Sequence, residues 1–203
     1  MIIPTTVDTS KYNRLVPNPD LLKLRGVQTI LLSATPDGFG LMNVYFPEAV
    51  KLYRAAGLKV EAFHTWYPGP LARDQVDAFR MALDLAHWEG DPVEIDIERA
   101  GLPILANGEA TDNAWAVTTG IANLGCLTRI YTSKYMWESK VRIVRGRYPW
   151  QRYPLHVAHW GTENNFARIL VPWDWRAVGW VRLQYAGDVA FAGTDGVDLN
   201  LDR

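Results

Sequence analysis

Short apolar runs alternate with longer amphipathic stretches over the first two thirds of the chain, a pattern that predicts strands followed by helices. The first strand-like run ends at Ser10, and the next four cover residues 29–34, 59–66, 92–98 and 128–132. Apolar positions recur at helical spacing between them, in residues 17–24, 47–56, 76–86 and 110–124. Because each helix returns the chain to the same end of the sheet, successive strand–helix units predict a parallel sheet.

The last third of the chain follows a different pattern. Residues 155–159, 180–185 and 197–200 have the character of strands, but the segments between them contain Pro172, several glycines and no long helix. The sequence therefore predicts an α/β protein, a modified TIM-type barrel with about five β/α units followed by three strands with little helix. With 203 residues, 48% of them hydrophobic, we expect one domain over residues 1–203.

Charge and composition exclude several partners and cofactors. A formal net charge of -1 indicates neither nucleic acid nor an anionic membrane as a partner. The single Cys126 cannot form an internal disulfide, no metal-ligand spacing accompanies it, and no nucleotide-binding glycine motif occurs, so no cofactor and no metal are predicted. The first residues lack the basic start and apolar run of a signal peptide, and no segment is a candidate membrane span.

The run from Pro92 to Glu98 ends in two carboxylates, Asp96 and Glu98, at positions i and i+2. On a strand they share a face, about 6–7 Å apart along the backbone. Loss of the first proton makes the second harder to lose, which leaves one carboxylate and one usable carboxylic acid near neutral pH, as a glycosidase requires. An isolated Asp-x-Glu is more often an exposed strand edge with two solvated acids, so the rest of the chain must decide.

A closed barrel would bring further polar groups to the same end of the sheet. The carboxyl ends of the strands form the active-site face of such barrels. Asp8 ends the first strand, and His64 ends the third. Asp198 lies in the eighth strand, which closure makes the neighbour of the first. We therefore expect Asp8, His64, Asp198 and the two acids of the fourth strand at one mouth.

Six short motifs in order resemble glycoside hydrolase family 25, the Chalaropsis-type lysozymes. The resemblance implies hydrolysis of the β-1,4 bond between N-acetylmuramic acid and N-acetylglucosamine in peptidoglycan. It further implies that Glu98 is the general acid, that Asp96 is its partner, and that Asp8 and Asp198 flank the site. The motifs are Val7-Asp8-Thr9-Ser10, Ala62-Phe63-His64, Asp96-Ile97-Glu98, Ile130-Tyr131-Thr132-Ser133, Leu183-Gln184-Tyr185 and Val197-Asp198-Leu199-Asn200.

The same motifs and the aromatic residues near them supply candidate substrate contacts. The predicted set is His64, Phe63, Trp66, Tyr131, Gln184 and Tyr185. Trp66, Tyr67, Trp137, Trp160 and Tyr185 could stack on sugar rings, or pack in the core instead.

The sequence also departs from the family pattern. Phe63 replaces a usual tyrosine and so lacks one hydroxyl donor, and Leu183 replaces an aromatic residue. His156 and His159 stand where Trp and Arg are common. Their three-residue spacing on a strand puts the two histidines on opposite faces, which argues against a shared metal.

The sequence leaves the details of mechanism and the setting open. Glu98 would protonate the leaving oxygen, while Asp96 would stabilise positive charge, orient the 2-acetamido group of the substrate, or take part in activating water. A glycan-binding barrel with weak activity and a structural component of a phage particle are the alternative functions. We expect a monomer that acts on peptidoglycan at the bacterial cell wall, either as a phage or prophage endolysin released from the host cytoplasm or as a protein secreted after loss of a leader.

Overall fold

Eight strands close into a barrel in the computed structural model, which describes residues 3–9, 17–36, 41–98, 108–160 and 168–203. The first seven strands are parallel to one another, whereas the eighth is antiparallel to both of its neighbours, the seventh and the first. This confirms the predicted modified TIM-type barrel; predicted strand residues Ile2 and Ser10 lie outside the described residues. The strands are β1 (Thr6–Thr9), β2 (Thr29–Thr35), β3 (Lys59–Thr65), β4 (Val93–Asp96), β5 (Thr128–Thr132), β6 (Leu155–Ala158), β7 (Arg182–Phe191) and β8 (Thr194–Asp202).

Four helices connect the first five strands: α1 (Pro19–Leu24), α2 (Phe46–Ala55), α3 (Ala72–Leu85) and α4 (Glu109–Ala122). α1 begins where the Asn18 side chain accepts hydrogen bonds from the backbone nitrogens of Asp20 and Leu21. The longer helices each bury an apolar stripe against the barrel, such as Ala114, Val117 and Ile121 on α4. None of the helices in the described ranges is long and apolar enough to cross a bilayer.

A cluster of tryptophan side chains packs beside the second half of the barrel, where long helices are absent from the described residues. The Trp137 ring lies edge-on to Trp150 and Trp175, with centroids 4.9 Å away in both pairs, and Trp115 lies 5.0 Å from Trp150. Trp137 is fully buried, and its indole N–H donates to Asp174 Oδ2 at 3.0 Å. Of the two roles open for Trp137, stacking on a sugar or packing, the structure supports packing in the core.

The interior of the barrel is lined by polar and charged side chains, and the apolar core lies between strands and helices. Side chains alternate along a strand, so on β3 Glu61, Phe63 and Thr65 face the interior while Ala62 and His64 face the helices. At the amino-terminal ends of the strands, Glu61 accepts hydrogen bonds from Arg129 and Arg182. These belong to a buried ionic network that consists of Glu61, Glu94, Arg129, His156, Arg182 and Asp202.

Candidate active site

Asp8 and Asp198 lie directly opposite each other where β1 pairs with β8. The Gln184 side chain spans the two, because its Nε2 donates to Asp198 Oδ2 at 2.9 Å and to Asp8 Oδ2 at 3.4 Å. We call Asp8 and Asp198 the carboxyl pair. Closure of the barrel thus joins two acids from opposite ends of the sequence, as expected from the order of the strands.

Burial makes both members of the carboxyl pair hold their protons more tightly than free carboxyl groups do. The pKa of Asp8 is raised well above its ordinary value, first by burial and then by the charge of Asp198. Burial also raises the pKa of Asp198, although the backbone N–H of Asp188 donates to its Oδ1 at 2.7 Å and opposes the rise. Asp188 has a φ of 56° and lies at a bulge in β7, which turns its N–H toward Asp198.

Two donors fix the orientation of the Gln184 amide. The Tyr131 hydroxyl and the Trp160 indole N–H both donate to Gln184 Oε1 at 2.7 Å. An indole N–H can only donate, so the atom it contacts must be the amide oxygen, and the NH₂ group must face the carboxyl pair. Gln184 is 2% exposed and therefore acts by holding the acids.

The two acids of the fourth strand lie beside the same tyrosine. Asp96 pairs with Tyr131 across β4 and β5, and its Oδ2 accepts a hydrogen bond from Thr65 Oγ1 at 3.3 Å. The ladder continues past β4, where Ile97 N donates to the Tyr131 carbonyl at 2.9 Å, so strand alternation directs Glu98 to the interior side as well.

Tyr131 is the point around which all four predicted acids gather. Burial raises its pKa well above the ordinary value, and the charges of Glu98, Asp96, Asp8 and Asp198 raise it further. Four carboxyl groups close enough to act on one phenol form an acidic site at the carboxyl ends of the strands. A site of this kind favours a transition state that develops positive charge.

A cleft of about 440 Å³ opens beside Glu98. Its wall includes Ser133, Tyr135, His159 and Trp160. The Trp160 ring is 62% exposed although its N–H is engaged by Gln184, so a flat apolar face is open to a ligand. This geometry suits the apolar face of a sugar ring.

Glycine at position 187 allows Trp160 to lie close against the β7 backbone. A Cβ at Gly187 would come within 2.8 Å of Trp160 Cζ2 and 3.1 Å of Asp198 Oδ1. The first distance is too short for a Cβ contact and the second is tight, so another residue there would displace the ring and press against the acid.

Three of the predicted substrate contacts are wrong, because their side chains are buried away from the mouth. His64 is fully buried on the outer face of β3, between Thr35 Oγ1 and Gln75 Oε1. Trp66 is also fully buried and donates to Asn113 on α4. The third is Tyr185, which is 4% exposed and part of the hydrophobic core.

The other predicted contacts face the barrel interior. Tyr131 is 8% exposed, and Gln184 is held on all sides as described above. Phe63 is half-buried and pairs with Glu94 across β3 and β4. Among the residues that the structure describes, no group of His, Cys, Asp and Glu is arranged to hold a metal ion.

Comparison with known protein families gives a match to the model named glycosyl hydrolases family 25, over residues 7–194. The chain belongs to this family. The match confirms the predicted family and class of enzyme, a glycoside hydrolase of the lysozyme type. No curated protein sequence matches the chain.

Solved structures similar to this family 25 chain have the same fold. A family 25 glycosyl hydrolase from Bacillus anthracis aligns with a TM-score of 0.74 and 16% identity, over 97% of this chain and 87% of that one. A muramidase from Trichobolus zukalii aligns with a TM-score of 0.75 and 18% identity, over 100% and 95%. The spore cortex lytic enzyme SleM from Clostridium perfringens gives 0.75 and 20%, over 97% and 66%.

Sequence reasoning missed three residues that organise the site of this family 25 enzyme. Glu94, His156 and Asn200 link the ionic network to the carboxyl pair. The only signal for His156 was its departure from the family pattern, and Asn200 appeared only as the end of a motif. Glu94 shares a strand face with Asp96, but nothing in the sequence indicated its partners.

Proposed function

We propose that the protein is an N-acetylmuramidase whose single barrel, residues 1–203, cleaves the β-1,4 bond between N-acetylmuramic acid and N-acetylglucosamine in peptidoglycan. The observation that carries this proposal is the cluster of four carboxyl groups around Tyr131, beside an open cleft with an exposed tryptophan. Membership of family 25 and the likeness to a muramidase support the choice of substrate.

Glu98 is the general acid of the proposed reaction. It lines the cleft, so a glycosidic oxygen bound there would come within reach of its proton. Asp96 lies farther inside, held by Thr65, and as a carboxylate it would stabilise the oxocarbenium-like centre or orient the acetamido group of the substrate. The two acids thus differ in access to the ligand, which suits a division into proton donor and charge partner.

The carboxyl pair lies near the reacting sugar and shares a proton, so it supplies part of the negative charge of the site. Asp8 and Asp198 are oriented by Gln184, Asn200 and the backbone N–H of Asp188, so their oxygens keep fixed positions during the reaction. Charges held in this way need no reorganisation when positive charge develops in the transition state. The exposed face of Trp160 would hold a neighbouring sugar by stacking.

The proposed setting is the bacterial cell wall. The partner is the glycan strand of peptidoglycan, and the protein acts as a monomer that needs neither nucleic acid nor membrane. A phage or prophage endolysin and a secreted lysozyme are both consistent with this activity.

The decisive experiment is product analysis with Glu98→Gln as the inactive reference. We expect the unmodified protein to create new reducing ends on N-acetylmuramic acid, identified by mass spectrometry after borohydride reduction. The amide cannot donate the proton, so the rate should fall by about 10² to 10⁴ while circular dichroism stays unchanged. Glu89→Gln, an exposed residue before β4 at the opposite end of the barrel, is the matched control and should keep full activity.

Two outcomes would contradict the proposal. New reducing ends on N-acetylglucosamine would change the bond that is cleaved. Binding of glycan without any turnover would favour a glycan-binding barrel.

A further inference from the structure

A buried histidine connects the ionic network to the carboxyl pair. His156 is fully buried on β6, inside the barrel. Its Nδ1 lies 3.0 Å from both carboxylate oxygens of Glu94, and its Nε2 lies 2.9 Å from Asn200 Oδ1. Asn200 in turn directs its Nδ2 to Asp8 Oδ2 at 3.0 Å. A continuous line of hydrogen bonds therefore runs from Glu94 to Asp8.

We propose that His156 is a positioning residue, which fixes the Asn200 side chain so that its amide donates to Asp8 in the geometry that turnover requires. The inference rests on the proposed function, since it assigns a task to a residue that does not itself reach the cleft. His156 has no place in the mechanism described above.

The neighbours of Asn200 determine which way its amide points. Its Nδ2 lies 3.4 Å from the Thr6 carbonyl oxygen and 3.0 Å from Asp8 Oδ2. A carbonyl only accepts, so the NH₂ group must be on this side and the amide oxygen must face His156. His156 Nε2 consequently carries a hydrogen and donates it to Asn200.

The other ring nitrogen faces a carboxylate. Burial alone would raise the pKa of Glu94, but the charge and hydrogen bond of His156, with the charges of Arg129 and Arg182, hold it below its ordinary value. Glu94 is therefore ionised, and its carboxylate lies against Nδ1. A flip of the ring would move both nitrogens away from Glu94 and Asn200.

The consequence reaches Asp8 through Asn200 alone. Without a donor at His156 Nε2, the Asn200 oxygen would lose the contact that the described residues give it, and the amide could rotate away from Asp8. Asp8 would then keep the weaker contact from Gln184 at 3.4 Å. A displaced carboxylate beneath the reacting sugar lowers the rate of the chemical step more than it affects binding.

Two substitutions of His156 separate positioning from simple filling of the barrel. A glutamine amide nitrogen reaches the place of Nε2, so His156→Gln keeps the donor to Asn200. An asparagine amide nitrogen reaches only the place of Nδ1, so His156→Asn keeps the contact with Glu94 and loses the one with Asn200. We expect kcat on peptidoglycan to fall by less than about threefold for Gln and by about ten- to hundredfold for Asn, with KM little changed.

A double substitution tests whether the effect passes through Asn200. In the background of Asn200→Ala, adding His156→Asn should lower kcat by less than about twofold, because the contact it would break is already gone. Val117→Ala, a buried position on α4 outside the barrel, is the control for lost stability and should lower the thermal midpoint without lowering kcat. Equal losses of kcat in the Gln and Asn variants, or full additivity with Asn200→Ala, would overturn the proposal.

A measurement on the free protein separates this inference from the proposed function. We expect ¹⁵N NMR at pH 7 to show a hydrogen on His156 Nε2. We also expect the Asn200 side-chain amide to be protected from hydrogen exchange in the unmodified protein and in His156→Gln, but not in His156→Asn. A ring without a hydrogen on Nε2 would overturn the inference even in an active enzyme. Absence of peptidoglycan cleavage with the expected spectra would instead refute the proposed function.

Discussion

Replacing Asp8 by Asn should make the protein more stable at neutral pH and less active at once. The amide keeps the size of the side chain and an acceptor for Asn200 and Gln184. The pKa of Asp8 is raised by burial and by Asp198, so the folded protein retains a proton that the unfolded chain releases above about pH 4. The contribution of Asp8 to stability is therefore complete below about pH 4 and is lost as the pH rises toward the folded-state pKa. Asparagine has no such proton to lose.

The geometry of the carboxyl pair sets the size of the effect. Opposite residues on antiparallel strands have Cβ atoms about 4.5–5.5 Å apart, and both acids contact the same nitrogen of Gln184. Two unit charges about 5–6 Å apart repel by about 3 kcal/mol at an effective dielectric constant of about 20. The unmodified protein avoids part of this repulsion by binding a proton, so we expect a gain of about 1–3 kcal/mol for Asp8→Asn at pH 7.5 and almost none at pH 4.

The assay compares thermal midpoints at the two pH values with the rate of reducing-end release. One kcal/mol corresponds to about 2–4 °C for a domain of this size, so the midpoint of Asp8→Asn should rise by about 2–12 °C at pH 7.5. The rate should fall at least about tenfold, because the substitution removes a group that can ionise near the cationic transition state. Asp84→Asn, an exposed position on α3, should change neither quantity. An Asp8→Asn variant that is destabilised equally at both pH values would refute the reasoning, as would one with full activity.

Three further predictions concern single side chains. Asp96→Asn should shift or erase one limb of the pH–rate profile, because the coupling with Glu98 is removed; an unchanged profile would argue against a coupled pair. Trp160→Ala should raise KM for a soluble glycan about tenfold in initial-rate measurements, because the loss of one stacked sugar costs about 1.4 kcal/mol. Trp160→Phe keeps an aromatic ring and should restore most of the affinity. Burial opposes ionisation of Asp202, but the charge and hydrogen bond of Arg182 outweigh it and lower its pKa, so its stabilising effect exists above about pH 4 and is lost as the pH falls. Asp202→Asn should therefore lower the urea midpoint at pH 7 more than at pH 3, and an equal loss at both would contradict this.

The order of the strands and the meeting of the acids could be predicted from the sequence. Each parallel crossover carries a visible apolar period, and β5 occupies the predicted residues 128–132. Asp8 and Asp198 meet because closing a barrel necessarily makes the last strand the neighbour of the first. These conclusions depend on chain order and topology, which local patterns encode well.

The sequence could not predict which face of β3 lies inside the barrel. Its side chains alternate between Glu61, Phe63 and Thr65 on one face and Val60, Ala62 and His64 on the other. A charged face usually indicates solvent, but here Glu61 lies inside the barrel, where Arg129 and Arg182 compensate its charge. Those partners come from strands far along the chain, so no local pattern could reveal them.

The partners of His156 were inaccessible to sequence reasoning for the same reason. Glu94 and Asn200 lie 62 and 44 positions away, on strands that converge only when the barrel closes. The burial of Trp66 depends likewise on α4, whose Asn113 supplies its hydrogen-bond partner.

The pairing of β1 with β8 also sets the order in which the site is assembled during synthesis. During synthesis β1 is made before the other strands, and the edge that pairs with β8 has no partner until residues 194–202 are made. Asp198 and Asn200 both belong to β8. A nascent chain that has formed only β1 to β7 therefore lacks Asp198, and it also lacks Asn200, which donates a hydrogen bond to Asp8. The carboxyl pair therefore depends on a contact between residues almost two hundred positions apart, which forms only when β8 pairs with β1.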